Sequence, residues 1–538
     1  MNWINKAISA ISPTWALKRE VAAQRLGRLG QIKQRSFQAI SGNRLYYDIL
    51  APKNSADSAI KSSVEGLRNH VRQLEYNNGF VSGPVQRIVN NVVGTGFKFQ
   101  SRCKADDRFY GFPKITENIA DRFVFEAEKA MKQWEKKADR RLIHNFGYIL
   151  RLVEGAMIRD GAVLVIGRDS KRRDRIIPYC QEVLEIDRLQ TPLSESKNPK
   201  VRNGIEYDSE GVPKRYYVMK MHPGDGGLVG LKDEDWEQID AYYSNGLKKV
   251  FHLFNPIRPE QTQGFSGFAS ALAYLQNLDR YHEAEIFAAL EDACLTGFVK
   301  TPAAQTFAAN YAPDTQVDGD VENRIHEFAP NKWHYLNPGE EVQIHSPNRP
   351  NDAFGEMTNQ LLRGPANSLD IPPEVLSQNW AGMNYSNART VLLMFYLSCR
   401  IRQNYLIDNY CTPTWENVGT RLVISGKVQA PGFDRRREDY LAHGFIPPGW
   451  QWVDPQKEAT GKQIEVDNNF ETLANVHSSK GYDYDEVLEQ RARELKKIKE
   501  LEEKYGVSFQ TAEKQQNQET GNNNDEEGPE SKSILSVI

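Results

Sequence analysis

The stretch Asp370–Tyr410 reads DIPPEVLSQNWAGMNYSNARTVLLMFYLSCRIRQNYLIDNY, and its order of helix breakers and apolar residues decides the fold around it. Pro372 and Pro373 end any helix that arrives from upstream, because proline lacks an amide donor and clashes with the preceding turn. A short polar run that contains Gly382 follows, and this composition is typical of a mobile loop.

The residues after this loop predict a long apolar helix. Ser386 or Asn384 can cap its first amide groups. We expect the helix to end near Pro413, because proline interrupts a helix interior. Its apolar positions are Val391, Leu392, Phe395, Leu397 and Ile401. The predicted order is therefore helix, proline stop, exposed loop and capped helix.

Length and composition limit the classes of protein. A chain of 538 residues can form two or three domains, or one elongated subunit with distinct layers. The net charge of −3 gives no global attraction to nucleic acid, so any contact with DNA has to be local or has to avoid tight binding altogether. The five cysteines include no C-x-x-C pair, which favours reduced, buried thiols. The sequence contains no run of about 18 apolar residues, so we predict no membrane span.

The first half of the chain changes from helical to strand periodicity. Residues 1–40 are basic and form an arm, which either binds a phosphate surface or acidic partner or stays solvated. Helical patterns cover residues 55–95 and 115–159, and the first of them ends at the glycines of GTG (94–96). Residues 160–255 form a mixed β-rich region. Its strand-like pieces lie around Ile176, Val183–Ile186, Ile205–Tyr207, Tyr216–Met219 and Val250–Leu253.

A basic cluster lies within this β-rich region. It consists of Lys171, Arg172, Arg173 and Arg175. The cluster either contacts DNA or another subunit, or it keeps a hairpin tip soluble.

Two helices flank an irregular insertion. Ser266 or Gly267 opens the first, which runs to about Cys294, and the second runs from about Asp352 to Leu369. Short strands are predicted around Phe298–Lys300 and Glu341–His345. The insertion is acidic, with Asp314, Asp318, Asp320, Glu322 and Glu327 among its carboxylates. Their spacing lacks the closing glutamate of a calcium loop, so we predict no metal site.

The C-terminal part combines strands, a charged helix and a tail. Leu422–Ile424 and Trp450–Val453 are predicted to be strands that return to the β-rich region. A charged helix is predicted over Tyr484–Tyr505. Residues 510–538 are low in complexity, acidic and expected to be disordered, hence dispensable for assembly.

Four strings of the sequence resemble the lambda-like family of bacteriophage portal proteins. They are NNVVGTG (90–96), RDGAVLV (159–165), FNPIRPEQTQG (254–264) with its helix, and PPEVLS (372–377) continued by YSNAR (385–389). They occur in the order of the family, and the resemblance covers about residues 60 to 455.

The resemblance implies an α+β portal fold and a ring of twelve subunits. Its divisions would be the basic arm (1–54), a helical and β-rich wing (55–264), a first stem helix (265–297), a small α/β clip (298–350), a second stem helix (351–371), a tunnel loop (372–385), a long helix returning to the wing (386–455), a helical crown (456–509) and the acidic tail (510–538).

The same resemblance implies a role and a set of partners. The ring would be the channel at one capsid vertex of the virion, through which DNA is packaged and ejected, and would assemble in the host cytoplasm. The large terminase subunit, head-completion or adaptor proteins, the major capsid protein and the scaffold would bind it. An acidic clip would repel phosphate rather than hold it. Uncharged side chains would face the DNA from the tunnel loop: Gln378, Asn379, Trp380, Met383 and Asn384. The alternative for this loop is a packing contact between subunits anchored by Trp380.

The sequence offers no local catalytic or cofactor motif, so we predict neither an enzyme nor a bound cofactor. It contains no G-x-x-x-x-G-K-[ST], H-E-x-x-H or G-x-S-x-G. Two rivals remain open: a phage DNA-processing enzyme of the nuclease or terminase type, and a monomeric binding module. Clustered metal-binding carboxylates would favour the first, and a small mass in solution would favour the second.

Overall fold

A computed structural model describes residues 53–106, 114–226, 232–293, 297–300, 341–344, 353–450 and 455–506. For residues 226, 291–293, 297–300 and 341–344 it describes the backbone alone. Nearly all of the predicted basic arm, the five acidic residues named for the clip, and the predicted tail lie outside these ranges.

The chain divides into two compact units, Met1–Ser62 and Ser63–Ile538. The described part of the first unit contains the short helix α1 (Ala56–Ile60). The Ser55 side chain caps this helix by accepting a hydrogen bond from the amide of Ser58.

The described helices of the second unit are interspersed with the strands along the chain. They are α2 (Val64–Asn77), α3 (Gly79–Val92), α4 (Glu117–Glu135), α5 (Phe146–Arg159), α6 (Pro223–Gly226), α7 (Leu272–Ala293), α8 (Phe354–Leu369), α9 (Pro373–Ser377), α10 (Tyr385–Leu406), α11 (Thr412–Ile424), α12 (Arg437–Tyr440), α13 (Pro455–Asp467), α14 (Leu473–Ser479) and α15 (Tyr484–Tyr505). Among the helices that the structure describes, none is long and apolar enough to cross a membrane.

The described strands form four antiparallel sheets. The strands are β1 (Lys98–Ser101), β2 (Ala162–Asp169), β3 (Tyr179–Glu185), β4 (Val201–Arg202), β5 (Ile205–Tyr207), β6 (Pro213–Met219), β7 (Trp236–Asp240), β8 (Val250–Phe254), β9 (Gly297–Lys300), β10 (Glu341–Ile344) and β11 (His443–Ile446). Their orders are β3-β2-β8, β4-β5-β6-β7, β1-β11 and β9-β10. The predicted α+β class is therefore confirmed.

Strand β2 is buried on both faces, which explains its continuous apolar run. Val163 and Val165 pack into the large core shared with the helices. Leu164 and Ile166, which point to the opposite face, pack against residues of the four-stranded sheet. A strand covered on both sides has no solvent face, so it shows no polar alternation.

A close backbone approach fixes the turn before β2. Gly161 has a φ of +85°, and a Cβ atom there would lie 2.2 Å from the carbonyl carbon of Phe265. Glycine satisfies both the positive φ and the lack of space. The turn thereby joins α5 and β2 to the loop that precedes α7.

Helices α7 and α8, which correspond to the two predicted helices around the insertion, form an antiparallel pair. The hydroxyl oxygens of Ser270 and Ser368 lie 2.8 Å apart near one end. Toward the other end, His282 Nε2 lies 3.1 Å from Thr358 Oγ1. The strands β9 and β10 pair beyond this second end, so the backbone of the insertion begins and ends as a ribbon.

Two predictions around Pro413 are wrong. A π-helical turn over Ile407–Cys411 follows α10, and Pro413 lies in the first turn of α11, where its missing amide is not needed. The helical path therefore continues past this proline. Leu422–Ile424 is the last turn of α11 rather than a strand, because Leu422 is buried against the helical core.

Two other segments that were predicted to be strands begin with irregular structure. Ile176 lies in a bend before β3, and Trp450 lies in an irregular segment whose continuation is outside the described residues. The strand that returns to the wing is β11, which pairs with β1 in the register Lys98 to Ile446.

Candidate channel loop and subunit interface

The loop between α9 and α10 starts and ends at defined hydrogen bonds. The chain leaves α9 at Gln378, whose φ of +56° is left-handed. Asn384 closes the loop, because its side-chain oxygen accepts a hydrogen bond from the amide of Asn387 at 2.9 Å. Of the two predicted caps for the long helix, the structure selects Asn384.

Arg87 of α3 holds the first residues of this loop. Its Nη1 donates a hydrogen bond to the carbonyl oxygen of Leu376 at 3.0 Å. With the carboxamide of Gln378 oriented so that its oxygen faces the guanidinium, that oxygen accepts from Arg87 Nε at 2.8 Å. Partial burial lowers the pKa of Arg87 from its usual value. The start of the loop is thus fixed to α3 by a residue that lies 289 positions before Leu376 in the sequence.

Short turns organise the middle of the loop. Ser377 Oγ accepts a hydrogen bond from the Asn379 amide, and Asn379 Oδ1 accepts one from the Ala381 amide. The Met383 amide donates to the carbonyl oxygen of Trp380 at 3.3 Å. These three hydrogen bonds join residues of the loop and its borders, so they hold the middle of the loop locally.

The structure brings the five side chains predicted to face DNA together on this one loop. Gln378, Asn379, Trp380 and Asn384 are exposed, and Met383 is half-buried. Trp380 retains 39% of its accessible surface. None of the five carries a formal charge.

Helix α10 has an apolar face that the subunit leaves uncovered. We call this face the α10 stripe; it consists of Leu393, Met394, Leu397 and Ile401, which are 55–64% exposed. Their spacing places them on one side of the helix. The opposite side is buried through Phe395, Cys399 and Leu406. The sequence analysis identified Leu397 and Ile401 only as apolar positions of the helix, and apolar character alone does not distinguish a core position from an interface position.

An ion pair with a buried carboxylate anchors α10 to α5. Arg402 Nη1 lies 3.3 Å from Glu154 Oε1 on α5, and the Glu154 side chain is 1% exposed. Arg402 Nη2 also donates to the carbonyl oxygen of Leu369, at the end of α8. Burial raises the pKa of Glu154, and the charge of Arg402 opposes that rise. The helix that carries the stripe is therefore fixed to both α5 and α8.

Helix α7 exposes a second apolar group. Ile286, Phe287 and Leu290 are 58–60% exposed. Contiguous exposed apolar residues on two helices are unusual for a soluble monomer and indicate contact with another molecule.

The basic cluster predicted in the β-rich region is split by the structure. Lys171, Arg172 and Arg173 are exposed in the loop between β2 and β3. Arg175 is buried, and its guanidinium donates hydrogen bonds to the carbonyl oxygens of Lys137, Asp139 and Arg140. Arg175 is thus a structural residue that satisfies carbonyls beyond the end of α4, and its predicted surface contact is wrong.

A glutamate, an aspartate and a histidine, whose side chains can all bind metal ions, lie close together in the β-rich region, where no metal site was predicted. Ligand atoms of Glu185, Asp187 and His222 lie within 4.8 Å of one another. Both oxygens of Asp187 already pair with arginines, with Arg68 at 2.9 Å and Arg72 at 2.7 Å. Burial opposes ionisation of Asp187, but the two arginines outweigh it, and its pKa lies below the usual value. The arrangement is that of an ion-pair network.

Residues 43–403 match the family model described as phage portal protein, lambda family. The chain is 23% identical over 462 residues to the probable portal protein of Halomonas phage phiHAP-1, covering 85% of each chain. It is 22% identical over 469 residues to portal protein B of Escherichia phage lambda, covering 82% of this chain and 86% of that one.

Solved structures with a weaker likeness come from gene transfer agent particles. One is the neck of a native particle computed with C12 symmetry, at 12% identity and a TM-score of 0.42. Another is the virion of a native particle, at 12% identity and a TM-score of 0.40. In both, the alignment covers 81% of this chain and 95% of the other.

Proposed function

Because this chain belongs to the lambda family of phage portal proteins, we propose that it assembles into a closed ring of twelve subunits at one vertex of the capsid. The chain is a portal protein of the phage virion. In the proposed ring, DNA passes through the lumen during packaging and leaves through it during ejection. The observation that carries the proposal is the family match, which extends over 43–403 and contains the loop, α7 and the four residues of the α10 stripe.

The two uncovered apolar faces support the ring. The α10 stripe lies on one helix, and Ile286, Phe287 and Leu290 lie on another. In a ring formed by rotation, each subunit presents two different surfaces, one to each neighbour. In an assembly of finite size, neighbouring subunits cover both apolar faces of every subunit only if the ring is closed.

The loop between α9 and α10 has the chemistry of a surface that contacts moving DNA. Its exposed side chains form hydrogen bonds and apolar contacts but carry no charge. Lysine or arginine at these positions would release counterions on binding phosphate and hold the DNA. We place Gln378, Asn379, Trp380, Met383 and Asn384 at the lumen on this ground. The alternative, in which Trp380 anchors a contact between subunits, is separated from it by the loop replacement described in the Discussion.

The proposed partners follow from the role of the family. The large terminase subunit would dock on the clip while DNA is pumped, and head-completion or adaptor proteins would replace it. The major capsid protein and the scaffold would surround the ring in the host cytoplasm during assembly. Residues of the clip such as Asp314, Asp318 and Asp320 would keep its lumen acidic, so that phosphate is repelled.

At the level of the family the role is structural, and we propose that this chain has no enzymatic activity. A nuclease or packaging ATPase would release acid-soluble nucleotides or inorganic phosphate when supplied with Mg²⁺, linear DNA and ATP. Activity that copurifies with the ring and survives repeated chromatography would contradict this proposal.

The mass of the purified protein tests the ring. Twelve chains of 61.4 kDa give a particle of about 740 kDa. Mass photometry at low and high salt, with and without scaffold, should detect this species. A particle that remains at 61 kDa in every condition would refute the proposed assembly.

A further inference from the structure

An acidic cleft lies between α4 and α15. Its volume is about 910 Å³. Seven carboxylates line it against two guanidinium groups. The acids include Asp121 and Glu128 from α4 and Asp485 from the first turn of α15. Such a surface favours a positively charged partner.

Three carboxylates of the cleft are already paired, and others are not. The two guanidinium groups, Arg491 and Arg493, pair with glutamates of their own helix that also line the cleft, and Glu486 pairs with Lys132 at 2.8 Å. Asp121 and Asp485 are exposed and have no ion pair within the part of the chain that the structure describes. Burial, together with the nearby charge of Asp483, raises the pKa of Glu128, although the amide of Ser101 donates to it.

An unsatisfied buried hydroxyl supports the inference that the cleft receives a ligand. Ser101 lines the cleft and is 6% exposed. Its Oγ has no hydrogen-bond partner among the described residues. A buried polar group without a partner is costly and is satisfied at once when a donor enters. Phe125 on the same wall is 66% exposed, and Lys129 Nζ lies 5.9 Å from the centroid of its ring, so a cation already lies at this edge of the cleft.

The loop between β2 and β3 carries the complementary charge. Lys171, Arg172 and Arg173 are consecutive and exposed. Arg172 pairs with Asp174 at 3.2 Å in an exposed position, whereas Lys171 and Arg173 have no ion pair within the described residues. We call these three residues the basic tip.

The basic tip lies beyond the C-terminal end of α4, whereas the acidic cleft runs along the first half of that helix. Asp121 in the first turns and Glu128 in the middle of α4 line the cleft. Lys137, just beyond the end of α4, pairs with Asp174 of the tip loop at 3.6 Å. Glu128 precedes Lys137 by nine residues, which corresponds to about 13 Å along a helix axis. The tip and the cleft are therefore two separate surfaces of one subunit.

We propose that the basic tip of one subunit docks in the acidic cleft of the neighbouring copy in the ring. The proposal rests on the ring assembly and names a contact within it. Complementary patches on separated surfaces are what a heterologous interface requires, and they fix the order in which subunits join. The guanidinium of Arg173 or Arg172 donates to Asp121, Asp485 and the hydroxyl of Ser101. Exposed ion pairs are individually weak, so the tip sets the register of neighbours while the apolar faces supply the affinity.

Disulfide trapping between subunits that each carry one introduced cysteine tests this contact directly. Subunits with Arg172→Cys are mixed with subunits that carry Asp485→Cys, assembled and mildly oxidised. Both variants also carry Cys294→Ser, because Cys294 lies outside the described residues. The other native cysteines, Cys103, Cys180, Cys399 and Cys411, are buried, which keeps background reaction low. We expect a covalent dimer that forms only in the mixture, since a disulfide needs Cα atoms within about 7 Å. The matched control pairs Asp485→Cys with Lys197→Cys, an exposed lysine on another loop.

The outcomes of this trapping separate the two proposals. Rings that form without a mixed dimer refute the docking contact and leave the portal assembly intact. A dimer from either variant alone would indicate a symmetric contact and would also refute it. Failure of the unmodified protein to form rings would instead refute the assembly on which the contact depends.

Charge reversal gives a second, independent readout. The triple variant of Lys171, Arg172 and Arg173 to glutamate should raise the protein concentration needed for half-assembly about tenfold at low salt. Adding Asp121→Lys and Asp485→Lys should restore assembly. The control reverses Lys197, Lys200 and Lys232, which are exposed elsewhere, and should leave assembly unchanged. Equal defects in the test and control triples, or no restoration, would overturn the proposal.

Discussion

The α10 stripe gives the sharpest test of how subunits associate, through the substitution Leu397→Asp. Leu397 is 63% exposed in the subunit. Complete burial of a leucine contributes about 1.5–3 kcal/mol, so about 1–2 kcal/mol remains to be gained when a neighbour covers it. Aspartate forfeits this gain and adds the cost of burying an unpaired charge, which is at least comparable. We expect each contact to weaken by about 3 kcal/mol or more, or roughly 100-fold.

Assembly is measured by mass photometry over a dilution series of the unmodified protein and the variant. Leu397→Asp should leave a soluble subunit of normal far-ultraviolet circular dichroism that fails to form rings at concentrations where the unmodified protein does. Leu397→Ala should show a smaller shift of the same sign. The matched control is Ile424→Asp, because Ile424 is 74% exposed at the end of another helix. Rings of Leu397→Asp that assemble at the unmodified concentration would refute the assignment of this face to the interface.

Three further predictions concern the loop, a buried carboxyl and a turn. Replacing Gln378–Asn384 with a Gly-Ser linker should leave rings intact while impairing DNA packaging or genome retention; loss of rings would favour the packing role of the loop, and normal packaging would exclude it from the mechanism. Burial raises the pKa of Glu135 from 4.5 to about 7, and the charge of Lys132 opposes this rise. Between these two pH values the Glu135 carboxyl is protonated in the folded protein and ionised in the unfolded chain. The free energy of unfolding should therefore fall as pH rises from 4.5 to about 7, and Glu135→Gln should flatten this slope in urea titrations; an unchanged slope would contradict it. Gly161→Ala should lower the melting temperature more than Gly246→Ala does. Both positions have positive φ, which costs alanine about 1–2 kcal/mol, but of these two only Gly161 lies so close to other backbone atoms that a Cβ would overlap them. Equal effects of the two substitutions in calorimetry would contradict this reasoning.

Local chemistry made much of the fold predictable. The two prolines at 372 and 373, the polar run after them and the capped helix appear in the expected order, because each depends on residues a few positions apart. The helix predicted over Tyr484–Tyr505 has these bounds in the structure, with Asp483 as its cap and Gly506 after its end. The continuous apolar run from Ala162 has the character of a short strand, and the structure forms β2 there and buries it on both faces.

Long-range contacts decided the features that sequence reasoning missed. Leu422–Ile424 has the β-branched and apolar character of a strand, but burial against the helical core keeps it in α11. Arg175 stands in a basic run, but carbonyl groups left beyond the end of α4 draw it inside. The tether from Arg87 to Gln378 joins residues far apart in the chain, so no local pattern can indicate it.

The sequence by itself determined the breaks, caps and periodicities, and through four linked strings it determined the family. Those signals are local because steric limits on the backbone and hydrogen bonds at helix ends act over a few residues. Only the tertiary structure decided which apolar residues are core and which remain for a neighbour. Phe395 and Leu397 are two positions apart in one helix, yet one is 2% and the other 63% exposed. Burial depends on what packs against each face, and that is a property of the whole fold.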